Sequence, residues 1–475
     1  MLFNSFQFAI FLPIVLVVYY LLSHKWQNAF LLVASCVFYA CWDWRFLFPL
    51  LFSTSIDYYC AQRMQDLLEA GDPQHKRRKY LALSVITNIG LLGFFKYFNF
   101  FSSSMQDLMH LFGFSVNAWT LRIILPVGIS FYTFQALSYT IDVYRGQLHP
   151  TRNFRDFLLA VLYFPHLVAG PIQRAHSLLP QVIRPRVITA AKITEGVHLI
   201  FWGYFKKVFI ADNLAPIVNQ VFASNAPDGF HTLIGIYAFA FQIYCDFSGY
   251  TDIARGIAKV MGFEFMLNFN LPYFSTNPSE FWTRWHISLS TWLRDYLYIP
   301  LGGSRNGTAM TYRNLMLTMV IGGLWHGAAW NFVLWGFYHG SLLAMHRALA
   351  PAWRIFDART PVGRSISFLI RVFCMFQFTS YGWLLFRAKS LAQIGQMTGA
   401  LMHPFAGFDP EFAGRVALLV SPLIVVQIIQ YTTKQLDFLD FTWLPAEARV
   451  VTYAVFTYFV LFLGGQPRSF IYFQF

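Results

Sequence analysis

Two histidines, His286 and His326, stand in otherwise apolar sequence within residues 241–340, and they are the residues of this chain most able to do chemistry. The stretch reads FQIYCDFSGYTDIARG, then NFNLPYFSTNPSEFWTRWHISLSTWLRDYLYIPLGGSR, then LTMVIGGLWHGAAWNFVLWGFYHG. An imidazole titrates near neutrality and can take a proton from an attacking hydroxyl, so each is a candidate general base. In a water-soluble core a histidine is usually a satisfied structural group. Inside a membrane the balance reverses, because polar groups at depth are expensive and line a cavity or a pathway. Whether the chain is a membrane protein therefore decides what the histidines mean.

Its composition says that it is. Of 475 residues, 56% are hydrophobic and 12% charged, against about 45–50% and about 25% in ordinary soluble domains. Fifty-three Phe, 25 Tyr and 14 Trp supply more apolar bulk than a soluble core of this size can hide. At about 20 residues per crossing, roughly ten to twelve spans fit. The segment FQFAIFLPIVLVVYYLL lacks a basic leader and a small-residue cleavage site, so it reads as a retained first span. The formal charge of +13 is read as topology, Lys and Arg marking cytoplasmic loops. A nucleic-acid partner is disfavoured, because the basic residues are scattered among apolar spans and form no stripe. The five cysteines (Cys36, Cys41, Cys60, Cys245, Cys374) include no CxxC, so neither a disulfide framework nor a zinc site follows from them.

Spans are expected near 7–22, 28–50, 50–62, 81–101, 196–217, 233–250, 365–386, 415–433 and 450–465. The basic cluster His75–Lys79 should be cytoplasmic, which puts the N-terminus outside. A weakly amphipathic piece near 105–114 is expected at the outer interface. Pro126 and Gly128 should break or kink the helix of LRIILPVGISFYTFQALSYTIDVYRG, with Ser130, Gln135, Tyr139 and Asp142 as a polar lining. Residues 154–169 are short and flanked by Arg on both sides, so they read as a re-entrant or interfacial element. Arg354, Arg359, Arg364 and Arg371 bracket a cytoplasmic linker, and the end, SFIYFQF, is too apolar to dangle freely. The expectation is one membrane domain over 1–475 with no soluble appendage.

Within the central stretch, Asn277-Pro278-Ser279-Glu280 is a helix start, with Asn277 as cap and Glu280 reaching back. The helix is expected to run to about Tyr298. Trp285, Leu289, Trp292 and Tyr296 would form an apolar face, with Arg284, Ser288, Thr291 and Asp295 opposite and His286 on the border. His326 lies in IGGLWHGAAW, where Gly323 and Gly327 have the GxxxG spacing that lets helices approach closely. The sequence 315–345 around it holds no charge, so His326 is the better candidate base, and His286 is expected nearer to water and to the donor. There is no HExxH and no close His/Asp/Glu cluster, which makes a metal site weak. GISFY is not the GxSxG elbow of serine hydrolases, and no P-loop occurs.

Those blocks, together with LPVGISFYTFQALSY, YFPHLVAGPIQR and FIYFQF, make the chain resemble the membrane-bound O-acyltransferase (MBOAT) superfamily. Within it, the bacterial branch typified by the alginate O-acetylation membrane protein is the nearest likeness. The resemblance implies an all-α polytopic fold, a ring of tilted transmembrane helices with re-entrant or interfacial helices around a central funnel. It implies His326 as the catalytic histidine and His286 as the second functional one. Asn268, Trp282, Arg284 and Trp325 are expected to line the substrate path. The implied activity is transfer of an acetyl group from a cytoplasmic thioester donor, acetyl-CoA, with no permanently bound cofactor. The acceptor would be an extracytoplasmic polysaccharide such as alginate or cellulose, with a periplasmic or membrane-anchored acetyltransferase partner, in the bacterial inner membrane. Two rivals are a transporter of acyl groups, which predicts internal repeats that are not detected, and a scaffold for periplasmic transferases, which predicts dispensable histidines.

Overall fold

The computed structural model describes residues 1–168, 170–353, 360–436 and 444–473. Among the described residues every regular element is helical, so the all-α polytopic expectation holds. Arg354, Arg359, Ala169 and the last two residues of SFIYFQF lie outside the described residues. Among the described residues, four helical runs are long and apolar enough to cross a membrane: 24–69, 74–111, 361–387 and 410–433. That is fewer than the ten to twelve expected from composition, because helices such as 229–260 carry buried polar residues that dilute their hydropathy.

The chain divides into two compact units. The first comprises residues 1–197 and 254–266. Its helices are α1 (Phe6–Leu21), α2 (His24–Asp43), α3 (Leu47–Glu69), α4 (Gln74–Leu92), α5 (Phe98–Leu111), α6 (Ile129–Tyr144), α7 (Phe154–Leu162), α8 (Phe164–Leu167) and α9 (Ala175–Ile183). A cluster of Phe8, Phe11, Phe38 and Phe164, with ring centroids 5.4–6.5 Å apart, joins α1, α2 and α8. Asp57 is buried and accepts from Ser84 Oγ at 2.6 Å and Asn88 Nδ2 at 2.8 Å, tying α3 to α4. A buried carboxylate is tolerable only when hydrogen-bonded in this way.

Of the break or kink expected at Pro126 and Gly128, the structure has the break: the residues just before them are not helical and α6 begins at Ile129. Gly128 has φ +77°, and a Cβ there would lie 2.5 Å from the Leu167 carbonyl oxygen, so glycine alone permits the turn into α6. The amphipathic piece near 105–114 is the end of a helix that continues from α4 through a wide turn at Gly93–Tyr97. Ser130, Gln135, Tyr139 and Asp142 are all buried, and Gln135 donates to the Ala160 carbonyl at 2.7 Å. With nine and four residues, α7 and α8 are far too short to cross a bilayer, in keeping with a re-entrant or interfacial element.

The second unit comprises residues 198–253 and 267–475. Helix α10 (Ala190–Tyr204) runs through a seven-residue π turn, Phe205–Ala211, into α11 (Asp212–Ala223). Next come α12 (Gly229–Val260), α13 (Pro278–Arg284), α14 (Ile287–Leu293), α15 (Gly307–His326), α16 (Trp330–Trp353), α17 (Pro361–Arg387), α18 (Leu391–Ala400), α19 (Pro410–Thr433) and α20 (Ala446–Phe462). Helices α15 and α16 form a tight hairpin. A Cβ on Gly323 would fall on the Phe332 carbonyl and one on Gly327 on the Phe332 ring, so the GxxxG pair does act as a close-approach surface.

Candidate active site

The expected continuous helix from Pro278 to Tyr298 is broken at the residue of most interest. Asn277 caps α13, its Oδ1 accepting from the Glu280 N–H at 2.9 Å, while Glu280 reaches back to the Thr276 N–H at 2.8 Å. The helix ends at Arg284. His286 then adopts φ 42°, ψ 54°, the left-handed region, before α14 begins. A residue with a Cβ in that conformation costs of order 1–3 kcal/mol and persists only where its surroundings enforce it.

The enforcing residue is Asn268. Its backbone carbonyl accepts from the Ile287 N–H at 2.9 Å. Its side-chain Oδ1 accepts from the Ser288 N–H at 3.2 Å and from Ser288 Oγ at 2.9 Å. Two residues on, the Asn270 N–H donates to the Arg284 carbonyl at 2.9 Å, so the 268–270 strand of chain straps both sides of the break. Asn268 was expected to line the substrate path; it instead positions His286.

The break turns the imidazole inward. His286 is 0% exposed, its ring centroid 4.6 Å from Phe247 and 6.0 Å from Trp325. The expectation that His286 lies nearer to water is reversed. His326, the last residue of α15, borders a cavity of about 370 Å³, and His286 does not. The two imidazole centroids are 6.4 Å apart. Around His326 stand Trp325 (5.0 Å), Trp335 (5.1 Å), Phe386 (5.4 Å) and Tyr472 (5.4 Å).

Trp282 lines the cavity with Trp335, Met319, Gly322, Arg294 and Tyr298. Trp325 packs between the histidines without lining it. Arg284 does not line it either: its guanidinium meets Glu280 Oε1 at 2.9 Å and donates to the Asn270 carbonyl at 3.2 Å. The volume equals about a dozen waters at about 30 Å³ each. That exceeds an acetyl group and suits a slender chain carrying one.

Two features escaped sequence reasoning. His339 is a further buried histidine, behind Trp282 (5.2 Å) and Trp335 (4.8 Å); its place in GFYHG gave only a weak signal. Tyr472 reaches the histidine pair from the far end of the chain, and only the apolar character of SFIYFQF hinted that this segment docks.

Residues 79–387 match the model of the membrane-bound O-acyltransferase family. The chain is 44% identical to the probable alginate O-acetylase AlgI of Azotobacter vinelandii, over 90% of this chain and 83% of the relative. It is 40% identical to the protein of the same description from Pseudomonas putida, over 99% of both. It is 36% identical to the peptidoglycan O-acetyltransferase of Helicobacter pylori, over 82% of this chain and 78% of the relative.

Proposed function

Because the chain belongs to the membrane-bound O-acyltransferase family and is a multi-pass membrane O-acetyltransferase, we propose that it takes an acetyl group from a cytoplasmic thioester and passes it towards an extracytoplasmic polysaccharide. The donor of this proposal is acetyl-CoA, and the membrane is the bacterial inner membrane. The relatives' names favour alginate as acceptor, with peptidoglycan next; cellulose is a polymer of the same hydroxyl chemistry. The observation that carries the reading is His326 at the wall of the cavity with His286 6.4 Å behind it.

In the proposed step the thioester enters the cavity with its carbonyl carbon beside His326. His326 takes the proton of the acceptor hydroxyl as its oxygen attacks that carbon. A C–O bond forms, the C–S bond breaks, and the thiolate leaves with the proton relayed from the imidazolium. General-base help of this kind is worth about 10²–10⁴ in rate. Holding donor and acceptor in line within the cavity supplies much of the rest. His286, held rigid by Asn268, orients the donor carbonyl or the His326 ring. No resident cofactor is needed, since the thioester supplies the driving force. A separate periplasmic or membrane-anchored acetyltransferase shares recognition of the polymer.

The test is His326→Ala in proteoliposomes with labelled acetyl-CoA, alongside polymer acetate content in cells. Loss of transfer at normal membrane abundance and thermal stability is expected. A stable His326→Ala protein that still acetylates at the wild-type rate would favour the scaffold or transporter reading instead.

A further inference from the structure

The π turn between α10 and α11 places a lysine among carboxylates in the interior. Lys207 Nζ donates to Asp212 Oδ1 at 2.8 Å and to Asp246 Oδ1 at 2.6 Å. The three side chains are 1%, 2% and 4% exposed. One ammonium between two carboxylates leaves a net negative charge, and the second oxygen of Asp246 is aimed at the chain's far end. It accepts from the Ile471 N–H at 2.7 Å, across 225 positions of sequence. The turn and the start of α11 each hold the C-terminal segment as well. The Gly465 N–H donates to the Val208 carbonyl at 3.0 Å, and Asn213 Nδ2 donates to the Leu463 carbonyl at 2.7 Å. π turns release backbone groups from the regular ladder and occur often at functional sites.

What this anchorage delivers is Tyr472. Phe470, fully buried, packs tilted against Tyr250 at 4.8 Å and lies 5.5 Å from Phe247. Tyr472 follows, 4.7 Å from Phe247, 5.4 Å from His326 and 6.4 Å from His286. The segment that carries it contains only a single turn of helix, Ile471–Phe473, and cannot hold itself. Buried ionic groups are expensive unless paired and hydrogen-bonded. This set spends the second oxygen of Asp246 on one backbone N–H of the segment that closes the histidine pair.

We propose that Lys207 and Asp246, with Asp212 sharing the ammonium, are positioning residues for acyl transfer: they latch the C-terminal segment so that Tyr472 closes the wall around His286 and His326. The inference rests on the reading of His326 as the base. The family model's match ends at residue 387, far short of this segment.

The test uses the full-length protein in proteoliposomes, with Asp246→Ala and Ile471→Pro as variants. Ile471→Pro deletes the N–H and leaves every buried charge in place, so it reports on the latch even where Asp246→Ala fails to fold. Three quantities are read: hydrogen exchange in the peptide covering residues 464–473, exchange in α12, and kcat with donor KM. Both variants should raise exchange in the C-terminal peptide at least tenfold with α12 unchanged. They should lower kcat at least tenfold with donor KM within twofold. Wild-type kcat in Ile471→Pro, or unchanged exchange of the C-terminal peptide in that variant, would overturn the proposal. Failure of the base assignment shows separately, as wild-type activity in His326→Ala, while the exchange data still report whether the latch exists.

Discussion

Replacing His286 by Asn and by Val should separate two things that the left-handed backbone couples. At φ 42°, ψ 54° a Cβ sits close to the following carbonyl, which costs about 1–2 kcal/mol for an ordinary L-residue. Asn visits this region several-fold more readily than most residues, whereas a β-branched side chain there is an outlier. Both substitutions remove the same buried imidazole and leave a smaller side chain in the same space among Phe247, Trp325 and Tyr472. The cavity cost is therefore similar for the two and largely cancels in the comparison. What remains is the backbone term, so the Val variant should be less stable than the Asn variant by about 1–2 kcal/mol.

At about 2–4 °C per kcal/mol for units of 150–250 residues, that difference is a few degrees in Tm of the detergent-solubilised protein. Both variants should lose acetyl transfer, because neither carries an imidazole. A Val variant that melts with the Asn variant would show that the strained turn is not enforced in the folded protein. An Asn variant with wild-type kcat would show that the His286 imidazole does not serve the chemistry.

Asn268→Ala removes the acceptor of the Ser288 N–H and Oγ, and each buried donor left unsatisfied costs about 1–3 kcal/mol. It should lower kcat with His326 intact, whereas a wild-type rate would mean that the strap is dispensable. Outside the membrane, the Phe412 N–H and the neighbouring His231 hold the Asp409 carboxyl below the ordinary carboxylate range. A depressed folded pKa contributes stability above the unfolded value and loses it as pH falls through the folded one. The Tm deficit of Asp409→Ala should therefore be full at neutral pH and narrow below about pH 4; a deficit that widens in acid would contradict the assignment. A cysteine at Gln74, in a background lacking the exposed Cys41 and Cys374, should react with an impermeant maleimide only in inside-out vesicles. Labelling in intact spheroplasts would invert the expected orientation.

Legibility followed the range of the interaction. The start of α13 could be read to the residue, because Asn277, Pro278 and Glu280 act within one turn. The α15–α16 packing was legible because glycine spacing encodes close approach directly. Periodicity over 278–298 placed Trp285, Leu289 and Trp292 inward and all three are buried, but Tyr296 of the same face is half-buried, Ser288 of the expected polar face is fully buried, and the backbone was wrong. The two-residue break rephases the helix and brings Ser288 inward, and a histidine in the left-handed region leaves no compositional mark as a glycine would. The Asn268 strap, the Lys207 set and the docking of Tyr472 join positions 20, 39 and 225 residues apart. No local pattern carries such pairings.

Polar residues inside an apolar chain are a useful pointer to function, but they divide by what they touch. Asp57 is satisfied by Ser84 and Asn88, and Lys207 by two carboxylates. Each of these groups spends its hydrogen-bonding capacity within the protein, Asp57 in tying two helices together and Lys207 in holding the C-terminal segment, so polarity at depth marks them as holding groups and not as the place where substrate binds. His326 differs in lying against open volume, in a position that the Gly323 and Gly327 approach makes rigid. His286 differs in being held in a conformation that costs free energy and serves no packing purpose that a relaxed residue could not serve. Open volume and enforced strain, more than polarity alone, mark the pair as the place where substrate belongs.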